Sequence, residues 1–132
     1  MEKIITSLKG RKKSPVRLTK NSKLFKEIIH AIKEKKGENI ISLDLRKIDE
    51  AVADFFIVCE AQSNIQINAI ADSVEELVRQ ECDERPFHIE KSGHWTLVDY
   101  VNIVVHIFQK ESRKFYDLEN LWADAERTEH NK

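Results

Sequence analysis

Apolar and polar residues follow two periods along this chain, and the switches between them mark its elements. Leu24, Phe25, Ile28, Ile29 and Ile32 recur every three or four positions, which predicts a helix over 21–37. Asn21 or Ser22 can cap its start, Lys35 and Lys36 suit the negative end of its dipole, and Gly37 supplies a C′ stop. A strand follows around 40–45. The run ADFFIVCE (53–60) is a second strand, and its unbroken apolar character points to cover on both faces. Helical spacing returns in SNIQINAIADSVEELVRQEC (63–82), where Ser63 and Gln66 form a capping-box pattern. Its buried face is Ile67, Ile70, Ala71, Val74, Leu77 and Val78. Strand, tight connection and helix make an α/β unit, an obligatory crossover if the next strand lies parallel.

PFHIEK (86–91) reads as a further strand, Ser92-Gly93 turns the chain, and strands at 94–99 and 102–109 complete a hairpin. In SRKFYDLENLWADAER, Phe115, Leu118, Leu121, Trp122 and Ala125 recur at helical spacing, and Phe115, Leu118 and Leu121 are assigned to the core. The element order is therefore α, β, β, α, β, β, β, α. It predicts a single α/β domain with a mixed sheet of about five strands and helices packed on it. Three regions are expected: a basic flexible extension over 1–20, the domain over 21–127, and a frayed tail over 128–132.

Composition sharpens this picture at the N-terminus. The 132 residues suffice for one domain with a real core. The net charge of −1 conceals a division: residues 1–36 hold 12 Lys and Arg against three acids, while 37–132 hold 10 against 20. A basic arm on an acidic body suits two kinds of partner, nucleic-acid phosphate for the arm and a basic protein for the body. KGRKKSPVRLTKN (9–21) lacks apolar periodicity, which marks the arm as an extension. The arm is poor in acids and contains serine, as transit peptides do, but it has no convincing amphipathic helix. A bacterial cytosolic setting is expected. No apolar run approaches the roughly 18–20 residues that cross a membrane, and no signal-peptide core is visible. Cys59 and Cys82 form no CxxC pair and have no histidine at ligand spacing, as expected of two ordinary thiols in a reducing compartment.

Catalysis would need a nucleophile with a base, or clustered carboxylates. Asp44, Asp54 and Asp99 lie in or beside predicted strands, where acids can hold Mg²⁺, but no two form a DxD pair on one strand face. EAQSN, before the second helix, contains no glycine to cradle a phosphate. His106, inside IVVHIF, reads as a hydrogen-bonded core residue. His88 and His94 flank the Ser92-Gly93 turn and could approach each other, though two imidazoles alone make a poor zinc site.

The segment HWTLVDY is more informative. Alternation puts Trp95, Leu97 and Asp99 on one face and Thr96, Val98 and Tyr100 on the other. If only one face covers the core, the other presents apolar surface with a polar edge, as protein interfaces do; the alternative is that a helix covers it.

WTLVDYxxIVVHIF followed by RxFYDLExLWxDA resembles the signature of the ribosomal silencing factors, the Iojap family, and ADFFIV and QxxAIADxVE (66–75) are similar to it as well. The resemblance covers about residues 22–126. It implies a mixed-sheet α/β fold related to the nucleotidyltransferase fold, without that activity and without a cofactor. It implies a factor that docks on the large ribosomal subunit, through the protein fourteenth in the large-subunit series, and sterically blocks joining of the small subunit when nutrients are short. A homodimer is implied for the free factor. Carried over by position, the docking surface centres on Trp95, Leu97, Val98, Asp99 and Tyr100.

Three features depart from the family. Val101-Asn102 replaces its usual Gly-Asp. A β-branched valine disfavours φ > 0, so the turn is expected to avoid that conformation at Val101 or move it to Asn102. CEAQS (59–63) stands where the family tends to have Ser-Gly. The basic arm is unexplained by the shared motifs, and Lys9, Arg11, Lys12, Lys13, Arg17 and Lys20 are assigned as contacts to ribosomal RNA. Large-subunit assembly, and more remotely nucleotidyl transfer, are the competing functions.

Overall fold

The apolar run at Phe55–Ala61 is buried along its whole length at the centre of a six-stranded sheet. The computed structural model describes residues 22–49 and 51–131. The elements are α1 (Lys23–Glu34), β1 (Glu38–Asp44), β2 (Phe55–Ala61), α2 (Asn64–Cys82), β3 (His88–Lys91), β4 (Trp95–Asp99), β5 (Ile103–Gln109), α3 (Lys110–Tyr116), α4 (Leu118–Leu121) and β6 (Glu126–Glu129). The sheet order is β3-β4-β5-β2-β1-β6. Only β2 and β5 are parallel, with Phe55 opposite Ile103, and every other pairing is antiparallel. The crossover between them carries α2 together with β3 and β4. The mixed sheet agrees with the sequence, with one strand more than expected.

Both faces of the sheet are covered. On one, the stripes of α1 (Leu24, Phe25, Ile28, Ala31, Ile32) and α2 (Ile67, Ile70, Ala71, Val74, Val78) pack on Phe55, Ile57, Val98, Ile103 and Val105. On the other, Leu43, Phe56, Val58, Trp95, Leu97, Val104 and Phe108 meet Leu118 of α4, with Ile48, Val52, Tyr116 and Trp122 half-buried at the margin.

The helix ends follow local chemistry. Ser22 takes the N-cap of α1 without a side-chain capping bond, and Asn21 lies outside the described residues. At the other end, Lys36 N–H bonds the Lys33 carbonyl and Gly37 N–H bonds the Ile32 carbonyl, a Schellman pair. The left-handed residue is Lys36 (φ 62°), one position before the glycine expected there. Gly37 is needed for space instead, because a Cβ on it would run into Ile32 Cγ2. Half of the capping box of α2 forms: Ser63 Oγ accepts from Gln66 N–H at 3.2 Å, but the Gln66 side chain bonds one residue before the cap. Gln66 Oε1 accepts from Gln62 N–H, and its Nε2 donates to the Lys35 and Lys36 carbonyls, tying the end of α1 to the start of α2.

The C-terminal segment departs most from expectation. The single helix breaks at Asp117, which is left-handed at φ 49°. Leu118 is buried as assigned, but Phe115 is 81% exposed and Leu121 50%. The frayed tail expected from 128 is likewise corrected. The strand β6 pairs with β1, Ile41 opposite Glu129 and Asp44 opposite Glu126. Beyond it, His130 Nε2 meets Ser42 Oγ at 2.8 Å and Asn131 Oδ1 accepts from Ile40 N–H. A strand reading Glu-Arg-Thr-Glu carries no hydrophobic signal because it is a solvent-facing edge, where charged side chains are ordinary.

Candidate docking site

The hairpin β4–β5 is wound tightly by its own residues. Trp95 lies opposite Phe108 and Asp99 opposite Val104. At the bend, Asp99 Oδ1 accepts from Val101 N–H at 2.7 Å, and Tyr100 N–H bonds the Ile103 carbonyl. Asn102 reaches across to the start of β2. Its Nδ2 donates to Asp54 Oδ2 at 2.9 Å, and its carbonyl accepts from Asp54 and Phe55 N–H. Val101 adopts φ 72°, so it neither avoids the left-handed region nor passes it to Asn102. For a β-branched residue this is strain, held by the Asp99 carboxylate and the Asn102 bridge on either side.

The five residues assigned to docking share this strand and its end, but none offers its side chain to solvent. Trp95 is 2% exposed, Leu97 and Val98 0%, Asp99 1% and Tyr100 7%. The expectation of an open face on β4 is thereby corrected: the helical layer covers Val98 and Tyr100, and the C-terminal segment covers Trp95 and Leu97. Burial raises the Tyr100 phenol above its ordinary range, with Glu75 and Glu84 adding to the effect.

Trp95 anchors an aromatic cluster. Its centroid lies 4.5 Å from those of Phe108 and Tyr116, and its Nε1–H donates to His106 Nδ1 at 3.2 Å. His106 is the core histidine its apolar setting suggested, and burial pushes its pKa down to about 3. With Nδ1 as acceptor, the proton sits on Nε2, which has no hydrogen-bond partner among the described residues. His88 and His94 do not approach each other. His88 pairs opposite Asp99, whereas His94 lies beyond the other end of β4 and stacks on Tyr116 at 6.4 Å.

The acids considered for catalysis are engaged in structure. Asp44 is held by Arg46 in a two-point pair at 2.7 and 2.9 Å, Asp54 by Asn102, and Asp99 by its own turn. The Arg46 guanidinium rises above its usual value through the Asp44 hydrogen bond and lies 5.0 Å over the Phe55 ring. Cys59 is a free buried thiol pushed up to about 12 by burial. Among the described residues no helix is long and apolar enough to cross a membrane. Lys9, Arg11, Lys12, Lys13, Arg17 and Lys20 lie outside the described residues.

Sequence reasoning missed a clamp on α3. Arg113, 7% exposed, donates from Nη1 to Glu60 (3.0 Å) and the Asn39 carbonyl (2.6 Å), and from Nε to Glu119 (3.2 Å). The clamp seats α3 against the end of β2 and so brings Tyr116 over Trp95. Glu60, a charge at the end of an otherwise apolar strand, is its one trace in the sequence.

Fold and site define a class: an α/β domain whose hairpin is an internal wall and whose acids serve structure. The comparisons carry this further. The family model described as ribosomal silencing factor during starvation matches residues 19–132. The chain is 33% identical over 106 residues to the ribosomal silencing factor of Halalkalibacterium halodurans, covering 80% of this chain and 90% of that one. It is 37% identical over 100 residues to its Bacillus subtilis counterpart, covering 72% and 80%. A crystal structure from Chromobacterium violaceum superposes with a TM-score of 0.70 at 35% identity, covering 76% of this chain and 83% of that one. The chain belongs to the ribosomal silencing factor (Iojap) family.

Proposed function

We propose that this chain docks without catalysis on the large ribosomal subunit, through the ribosomal protein fourteenth in the large-subunit series, and silences translation by occupying the space the small subunit needs. The reading places it in the cytoplasm, active under nutrient limitation, and dimeric when free. The observation that carries it is the family match across 19–132, which spans both the hairpin and the segment that closes over it. Because Trp95, Leu97, Val98, Asp99 and Tyr100 are internal, the hairpin would meet a partner through the residues at its ends, exposed His94 and half-buried Val101, and through half-buried Tyr116 over Trp95. The body's 20 acids against 10 basic residues suit a basic ribosomal protein and favour fast encounter. An interface of standard size, about 800 Å² per partner, suffices.

The test is sedimentation of the full chain with separated subunits, followed by addition of small subunits. Pelleting with the large subunit and a reduced yield of joined ribosomes are expected. A chain that stays in the supernatant overturns the reading, and pelleting with immature particles alone would indicate an assembly factor. The basic residues Lys9, Arg11, Lys12, Lys13, Arg17 and Lys20 are assigned here to ribosomal RNA. Deleting residues 2–20 should weaken binding and flatten its salt dependence; an unchanged slope would remove the arm from the mechanism.

A further inference from the structure

We infer that the outer edge of β3 is where two copies of this chain pair, an inference that rests on the reading above of the free factor as a dimer. The strand ends the sheet, with β4 on its inner side. Ser92 N–H bonds the Trp95 carbonyl at 3.0 Å, and antiparallel bonds recur at every second residue. His88 and Glu90 therefore turn their backbone groups to β4, while Ile89 and Lys91 turn theirs outward, where no strand meets them among the described residues. Such an edge is a template for one more strand.

The side chains select a second copy as the occupant. Two identical antiparallel edges related by a twofold axis centre on one residue, and Phe87-His88-Ile89-Glu90-Lys91 is complementary to itself when that residue is Ile89. Ile89 then meets Ile89 of the second copy, and the two exchange a pair of backbone hydrogen bonds. On one face His88 meets Glu90, and on the other Phe87 meets Lys91, each contact occurring twice. Moving the axis by one residue sets Glu90 against Glu90 or His88 against His88. Phe87 is 65% exposed, and Ile89 is half-buried against the helical core, so pairing also covers apolar surface. Lys91 is the kind of charge that ordinarily keeps an edge single; in this register it lies over the Phe87 ring instead. The opposite edge, β6, reads Glu-Arg-Thr-Glu, and pairing there would cover no large apolar side chain.

The experiment measures the monomer–dimer equilibrium of the full chain by analytical ultracentrifugation, with folding followed by circular dichroism. It compares wild type, Phe87→Lys, Phe87→Lys with Lys91→Glu, and Arg127→Glu on β6. Phe87→Lys sets lysine against Lys91 at both symmetry-related contacts and should weaken the dimer about tenfold or more with the fold intact. Adding Lys91→Glu makes both contacts attractive and should restore the dimer to within about threefold of wild type. Arg127→Glu should dimerise as wild type does. If wild type dimerises and both Phe87 variants match it, the edge is wrong and the dimer reading stands. Equal weakening in the single and double variants overturns the pairing, as does a dimer lost only in Arg127→Glu, which would lie on the opposite edge. A wild type that stays monomeric at every concentration removes the dimer reading and this inference with it.

Discussion

The two faces of the sheet are closed in different ways. One is roofed by α1 and α2, whose long apolar stripes bury a continuous core. The other is closed by a loop, two short helices and a few specific contacts: the Trp95 cluster, the Trp95–His106 hydrogen bond and the Arg113 clamp. Burial spread over two helices tolerates small changes, because each side chain contributes only a share of the removed apolar area. A face closed by a few contacts concentrates its stability in them. It also leaves residues such as Phe115 and Leu121 outside, where a partner can reach them.

The largest effect expected on the second face is from Trp95→Ala, which empties the middle of the aromatic cluster and should cost about 4 kcal/mol in chemical denaturation. A cost near 1 kcal/mol would mean that the C-terminal segment closes the face without the cluster. Arg113→Met should follow at about 3 kcal/mol, since it leaves Glu60 buried and unpaired. A near-neutral result would show that the clamp only positions α3.

The next effect is a pH dependence. The folded pKa of His106 lies near 3, below the unfolded value of about 6.5, so the unfolded chain takes up the proton first as pH falls. Its contribution is therefore full above pH 6.5 and is lost on acidification toward 3, roughly 2 kcal/mol of it between 6.5 and 5. His106→Gln, which can still accept from Trp95, should remove that part of the slope; an unchanged slope would mean that other groups set it. The smallest effect concerns the turn. Val101→Gly relieves left-handed strain but frees the unfolded chain, for a net gain of about 0.5 kcal/mol. A loss on the same measurement would show that packing by Val101 outweighs its strain.

Much of this architecture was legible in the sequence because it is written in local periods. The stripe of α1, the Ser63–Gln66 cap, the central strand at Phe55–Ala61 and the hairpin at Trp95–Gln109 each follow from residues a few positions apart. Family membership was legible for a related reason, since its two motifs are continuous runs. Three features were decided only by tertiary structure. Both sides of β4 are buried because α2 and the C-terminal segment arrive from different parts of the chain. The edge strand β6 exists because β1 offers it an edge: Ser42 and His130 meet across 88 positions. Phe115 points outward because Arg113 is held by Glu60 and Asn39, 53 and 74 positions away. Helical spacing describes which residues share a side of a helix, but which side faces the core depends on where distant partners fasten it.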